Sequence, residues 1–327
     1  MGIKREDINP YVAKHYPFLG AVRKIKTIKH NNIHSINFLI STAKGKCVLR
    51  NFMGGSCPAK IEKICFILED CLKQGAKVLK PIKNKDNKCV DYKRKIYLTK
   101  YYEGGIYNGS IVGLKNIAEN IALLHSALVQ NPIEYKYSLN RSYYQPLTPA
   151  GLKRIEAIII AKKNKNDFDK KVLININYLK ERFAENEQSS IHLKQFGQKQ
   201  LVHFDLTPAN IIIRNNKVVA IIDFNAMRKG DKIEDLAFAS FRFSAIKASR
   251  PEEIKRRLKV FIDCYSSYSD VSKEQLNLLD CYYEKIVLGR LSYILKKRYH
   301  IGCKMWCSDF DKNINFLRLA QKVGKFY

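Results

Sequence analysis

Residues 203–224, HFDLTPANIIIRNNKVVAIIDF, set two carboxylates and an amide at fixed intervals: Asp205, Asn210 five residues on, and Asp223 eighteen residues after Asp205. Carboxylate and amide oxygens are hard donors, the ligand type that Mg²⁺ selects. Two of the three would face a metal, leaving one carboxylate to orient a nucleophile. Phosphoryl transfer uses these parts: a divalent ion that bridges and neutralises nucleotide phosphates, and an Asp that accepts a hydroxyl proton.

That chemistry requires the chain to bring distant residues together. Asn215-Asn216 is a two-residue hairpin signal, because Asn tolerates positive φ. With the turn there, Arg214 faces Lys217, Ile212 faces Val219 and Asn210 faces Ile221. Asn210 and Asp223 then emerge at the same open end of a ribbon. Thr207-Pro208 reads as an N-cap followed by Pro at the first helical position, a short turn that holds Asp205 beside that end.

The first hundred residues read as strands with one helix. IHSINFLIST and KCVLRNF form a hairpin around Lys44-Gly45. Apolar residues at 61, 64, 65, 68 and 72 make a helix that begins near Pro58 and closes at Gly75. KVLKPI and KIYLTKYY follow as strands. The glycine-rich stretch EGGIYNGS, residues 103–110, is a connector. After it, Ile117, Ile121, Leu124 and Leu128 share one face of a long helix, residues 150–195 are helical with interruptions, and helices fill the C-terminal region. The expectation is an α+β chain: an N-terminal antiparallel β lobe with one helix, residues 1–102, and a larger, mostly helical C-terminal lobe, residues 103–327.

A chain of 327 residues, 46% hydrophobic, buries a substantial core. No apolar run reaches the roughly 18 residues of a membrane span, and the N-terminus lacks a secretory signal. Nine cysteines, an odd count set mostly in apolar runs, read as reduced core residues of a cytoplasmic protein. The net charge of +29 comes from scattered lysines without a nucleic-acid motif. It implies no specific nucleic-acid partner, and some attraction for phosphorylated ligands.

The protein-kinase pattern is H-R-D-x-x-x-x-N with D-F-G downstream. Here Phe204 replaces the Arg and Asn225 the Gly, which points to small-molecule kinases. The chain resembles the aminoglycoside phosphotransferase, choline kinase and homoserine kinase superfamily, which includes spore-coat kinase-like proteins. That family carries H-x-D-x4-N, a hairpin, I-D-F and then D-L-A, here Asp235-Leu236-Ala237. INFLISTAKGKCVLR, GAKVLKPI, IAENIALLHSAL and YEKIVLGRLSYIL resemble further family segments.

The resemblance implies a protein-kinase-like bilobal fold and an ATP- and Mg²⁺-dependent kinase acting on a hydroxyl of a small molecule, such as an amino alcohol or sugar. It makes Asp205 the catalytic base and Asn210 and Asp223 the Mg²⁺ ligands. Arg50 stands where the family has a phosphate-gripping Lys and keeps its charge. Glu62 is its expected ion-pair partner, with Glu69 on the same helix face as the alternative. Adenine would lie against the backbone near Tyr101 and Tyr102. His203 braces the loop, and Asp235 caps the following helix and supports that loop. Asn37 matches an Asn-aromatic pair of the family, His125 is a buried helix residue, and YYQPL at 143–147 is a possible pocket lining. HNNIHSIN, where a phosphate loop belongs, has no glycine. The alternative to an enzyme is a catalytically inactive, kinase-like binding or coat protein.

Overall fold

Strand alternation decides which side chains of the N-terminal sheet meet the candidate site. The computed structural model describes residues 3–28, 35–52, 57–131, 133, 147–196, 199–248, 250–304 and 306–323. Residues 30–34 of HNNIHSIN and 143–146 of YYQPL lie outside the described residues. The order is α1 (Ile8–His15), β1 (Val22–Ile28), β2 (Ser35–Thr42), β3 (Gly45–Phe52), α2 (Pro58–Lys73), β4 (Pro81–Ile82), β5 (Val90–Asp91), β6 (Ile96–Lys100) and α3 (Ile111–Val129). Then come α4 (Pro149–Ile160), α5 (Asp167–Phe196), β7 (Lys199–Val202), β8 (Ile211–Arg214), β9 (Lys217–Ile221) and β10 (Arg228–Asp231). Helices α6 (Lys232–Ser244), α7 (Pro251–Ser266), α8 (Lys273–Leu276), α9 (Leu279–His300) and α10 (Phe310–Val323) complete it.

The six-stranded sheet is antiparallel, in the order β1-β2-β3-β6-β4, with β5 also paired to β6. Side chains alternate across it. Phe38, Ile40, Cys47, Leu49, Ile96 and Leu98 point one way and pack against Ile8, Tyr11 and Val12 of α1. Tyr97 and Thr99 point the other way, where Ile61, Ile64 and Leu68 of α2 line a small cavity with them. Helix α1 was not expected from the sequence. It is short, and its N-cap, Asp7, makes no side-chain capping bond.

The chain forms two compact units, Met1–Tyr137 with Thr207–Met227, and Ser138–Leu206 with Arg228–Tyr327. This grouping differs from the boundary expected at residue 103, because the ribbon β8–β9 is stitched to the sheet's side of the chain. Gly105 and Ile213 exchange both backbone hydrogen bonds, each 2.8 Å long. Leu79 N–H donates to Ile221 O at 2.9 Å, and Ile221 N–H donates to Lys77 O at 2.8 Å. Asn116 of α3 accepts from Val218 N–H at 2.7 Å. A side chain at Gly104 would put its Cβ 2.7 Å from Ile213 O, so this approach requires glycine.

The second unit is held by helix packing and by β7 paired with β10. Buried Asp169 at the start of α5 accepts from Lys162 Nζ at 2.8 Å and from Tyr299 OH at 2.9 Å. Arg182 of α5 donates to Glu284 of α9 at 2.8 Å. Among the described residues no helix is long and apolar enough to cross a membrane.

Candidate active site

The ribbon turns where expected: Asn215 and Asn216 have φ of 53° and 60°, both left-handed. Its register is one residue off the expectation. Arg214 does face Lys217, but a bulge between Ile212 and Ile213 pairs Ile213 with Val218 and Ile212 with Ala220. Ile211, not Asn210, therefore faces Ile221, and Val219 is the extra residue of a two-against-one pairing. The open end still closes as predicted, because Ile222 N–H donates to Asn210 O at 2.8 Å. Asn210 and the residue before Asp223 are thus joined directly.

Asp223 sits at φ 63°, ψ 64°. Holding a non-glycine residue there costs on the order of 1–3 kcal/mol, and such strain persists where the surroundings enforce it. Phe224 next to it is buried in the wall of the α2 cavity. Asn225 Nδ2 donates to Asp223 Oδ1 at 2.7 Å, and Lys60 of α2 donates to Asn225 O at 2.7 Å. Burial pushes the Lys60 ammonium below the ordinary lysine range. Asp223 Oδ2 has no partner among the described residues, and the carboxylate is partly exposed. This donor set suits a hard divalent cation.

Arg50 lies opposite Asn37 on β2 and Tyr97 on β6, so the three share one row and one sheet face. That face also carries the cavity bordered by Asp223. The expected ion pair of Arg50 with Glu62 is not formed, and Glu69 does not replace it. The Glu62 carboxylate accepts from Tyr92 OH, and Glu69 pairs with Lys83 at 2.8 Å. Both acids are taken by side chains that follow the small strands β5 and β4. Burial pushes the Tyr97 phenol up to about 12, against the pull of the Arg50 guanidinium beside it. Arg50 Nε and Asn37 Oδ1 are buried without a partner. A buried donor on a charged group left unsatisfied is costly. A phosphate oxygen would satisfy Arg50, so the residues fit a nucleotide's phosphates.

At the connector, Tyr101 N–H donates to Lys46 O at 3.2 Å and Tyr102 OH to Val78 O at 3.3 Å. The Tyr102 N–H has no main-chain partner among the described residues.

Asp205 belongs to the second unit and follows Phe204, whose φ is 62°. Asp235 enforces that bend. It is wholly buried, and its two oxygens accept from His203 N–H at 2.9 Å and Phe204 N–H at 3.0 Å. Asp205 N–H donates to His203 Nδ1 at 3.2 Å, which puts the imidazole proton on Nε2. His203 is a buried brace, and Asp205 is partly exposed. The Arg228 guanidinium covers the Phe204 ring, Cζ 3.2 Å from its centroid. Asp235 does not cap α6, contrary to expectation. Asp231 does, accepting from Ile233 N–H at 2.8 Å and from Tyr282 OH at 2.7 Å. Burial raises the Asp231 carboxyl above the usual carboxylate range, with the Tyr282 bond opposing. The sequence reading missed Asn225 and Lys60. Asn225 had a signal, an amide at the position where kinases carry glycine. Lys60 had none, since its contact spans 165 residues.

Residues 24–268 match the model of the phosphotransferase enzyme family, and the chain belongs to that family. No curated protein sequence matches the chain. Solved structures share its fold across nearly all of its length. The aminoglycoside phosphotransferase of Alicyclobacillus acidocaldarius is 16% identical, with a TM-score of 0.64 over 92% of each chain. The choline kinase LicA of Streptococcus pneumoniae is 16% identical, with a TM-score of 0.59 over 97% of this chain and 98% of that one. The amicoumacin kinase hAmiN, solved with AMP-PNP and Ca²⁺, is 12% identical, with a TM-score of 0.63 over 98% and 93%. The fold is therefore the kinase-like α+β fold expected, with an antiparallel N-terminal sheet and a mostly helical remainder.

Proposed function

We propose that the chain is an ATP- and Mg²⁺-dependent phosphotransferase that phosphorylates a hydroxyl group of a small molecule in the cytoplasm. The observation that carries this reading is the closed end of the ribbon, where the Ile222–Asn210 hydrogen bond sets Asn210 next to the strained Asp223 loop. When bound, the metal would neutralise charge on the transferring phosphoryl group. Asn210 and Asp223 would hold it. Arg50 would neutralise phosphate charge through its unsatisfied Nε. The backbone near Tyr101 and Tyr102 would take adenine. Asp205 would accept the acceptor's hydroxyl proton, and the Asp235–His203 brace would fix its direction. Glu62, engaged with Tyr92, has no part in holding Arg50. Neighbours named for amicoumacin and choline support a small-molecule acceptor. The net charge of +29 favours amino alcohols, sugars or related metabolites over polycationic aminoglycosides.

The test is a metabolite panel with ATP, scored by ADP release. Asp205→Ala should lower turnover about 10³-fold while nucleotide binding survives, and Asp223→Ala should lose metal-dependent nucleotide binding. Full turnover in the Asp205 variant would remove the mechanism. Metal-dependent nucleotide binding with no acceptor turned over would favour the kinase-shaped binding protein instead.

A further inference from the structure

Helix α2 has no acid bonded to Arg50, since Glu62 and Glu69 are engaged elsewhere. It nevertheless reaches the metal-facing end of the ribbon by another route. Lys60, in the first turn of α2, donates its ammonium to the main-chain carbonyl of Asn225 at 2.7 Å. Asn225 in turn folds its side-chain amide back onto Asp223 Oδ1, also at 2.7 Å. The side chain of Asn225 is exposed, so its amide could be solvated; it is bonded to the carboxylate instead.

We propose that Asn225 is a positioning residue for Asp223, and that Lys60, through Asn225, couples the placement of α2 to the metal-binding carboxylate. This rests on the phosphotransferase reading of Asp223. The chemistry of the amide suits the task. A neutral N–H donor fixes one carboxylate oxygen without cancelling the negative charge, so the charge and the second oxygen stay available to a cation. A lysine or arginine at position 225 would neutralise that charge, and a glycine would provide no donor. The carbonyl of the same residue is an uncharged acceptor, and the structure gives Lys60 no carboxylate partner among the described residues. Both bonds act on one short segment whose backbone is already held left-handed at Asp223. Phe224 pins the segment between them into the α2 cavity. A shift of α2 therefore bears on this segment through both a polar and an apolar contact.

The experiment measures AMP-PNP binding by calorimetry with and without Mn²⁺, together with melting temperature, for the full chain and its Asn225→Ala, Lys60→Met and doubly substituted forms. Asn225→Ala should weaken binding in the presence of Mn²⁺ about tenfold, as expected for losing one hydrogen bond to a charged group. Its metal-free affinity and melting temperature should stay as they were. Lys60→Met should move the metal-dependent affinity the same way, roughly fivefold, and the double variant should fall short of the product of the two. Asn225→Ser, which keeps a short donor, should recover part of the loss. Unchanged metal-dependent binding in Asn225→Ala overturns the proposal and leaves the phosphotransferase reading standing. Equal losses with and without metal, alongside a lower melting temperature, also overturn it, because they mark a merely structural residue. No metal-dependent binding by the unsubstituted chain overturns both readings together.

Discussion

Asp235 gives both carboxylate oxygens to backbone N–H groups, at 2.9 and 3.0 Å, and is wholly buried. Asp223, twelve residues earlier, receives a single hydrogen bond from a side chain and is partly exposed. Each stands at a left-handed residue: Phe204, bent at φ 62°, for Asp235, and Asp223 itself at φ 63°. In the first case the carboxylate exists to hold a neighbour's strain. In the second the strained residue is the one with an oxygen to offer. Engagement of both oxygens by main-chain donors thus separates a carboxylate that shapes a loop from one with an oxygen left for a ligand.

That contrast breaks most visibly at Asp235. Asp235→Ala leaves two buried N–H groups without acceptors and should cost about 3 kcal/mol in urea unfolding. Turnover should fall with it, since the bend before Asp205 is released. Undiminished stability would mean that the brace holds nothing.

Asp169 sharpens the contrast as a second closed carboxylate. Burial pushes its carboxyl up, but Lys162, Tyr299 and the Asn166 N–H together hold it below the usual range. A folded-state value below the unfolded one contributes stability above the unfolded value, about 3.9, and loses it as pH falls through the folded value. Asp169→Asn should therefore cost about 2 kcal/mol at neutral pH. The gap between variant and parent should narrow in acid. A gap independent of pH would show that charge plays no part.

The smallest effect has the opposite sign. Asp223→Gly relieves a left-handed non-glycine residue and should raise stability by about 1 kcal/mol. The same change should abolish metal-dependent nucleotide binding. A loss of stability would place Asp223 with Asp235 among the closed carboxylates.

What sequence could reveal was local. The hairpin turn needs two residues tolerant of positive φ, and Asn215-Asn216 announce them. The spacing of Asn210 and Asp223 around that turn then follows from strand geometry. The bulge was not legible, because Ile211, Ile212, Ile213, Val218 and Val219 are interchangeable as apolar, β-favouring residues. The partner of Arg50 was hidden for a related reason. Glu62 and Glu69 recur on one helix face, and what decides between them is whether Tyr92 and Lys83 claim them first. Strands β7 and β10 escaped notice because KQLV and RKGD are short and rich in polar residues, and they pair across residues 203–227 of intervening chain. Helix α1 escaped because nothing local announced its cap.

The pair of hydrogen bonds between Gly105 and Ile213 has a metric consequence. From Ile213, clasped to the connector, β8 reaches back to Ile211 and the chain to Asn210 just before it, three residues and roughly 10 Å at the usual rise per residue. On the proposed reading, this short span would set the distance between the end where a base would rest and the end where a divalent ion would be held. Its length is fixed by covalent geometry, so exchanging one isoleucine for another aliphatic residue can loosen the ribbon without resetting the measure.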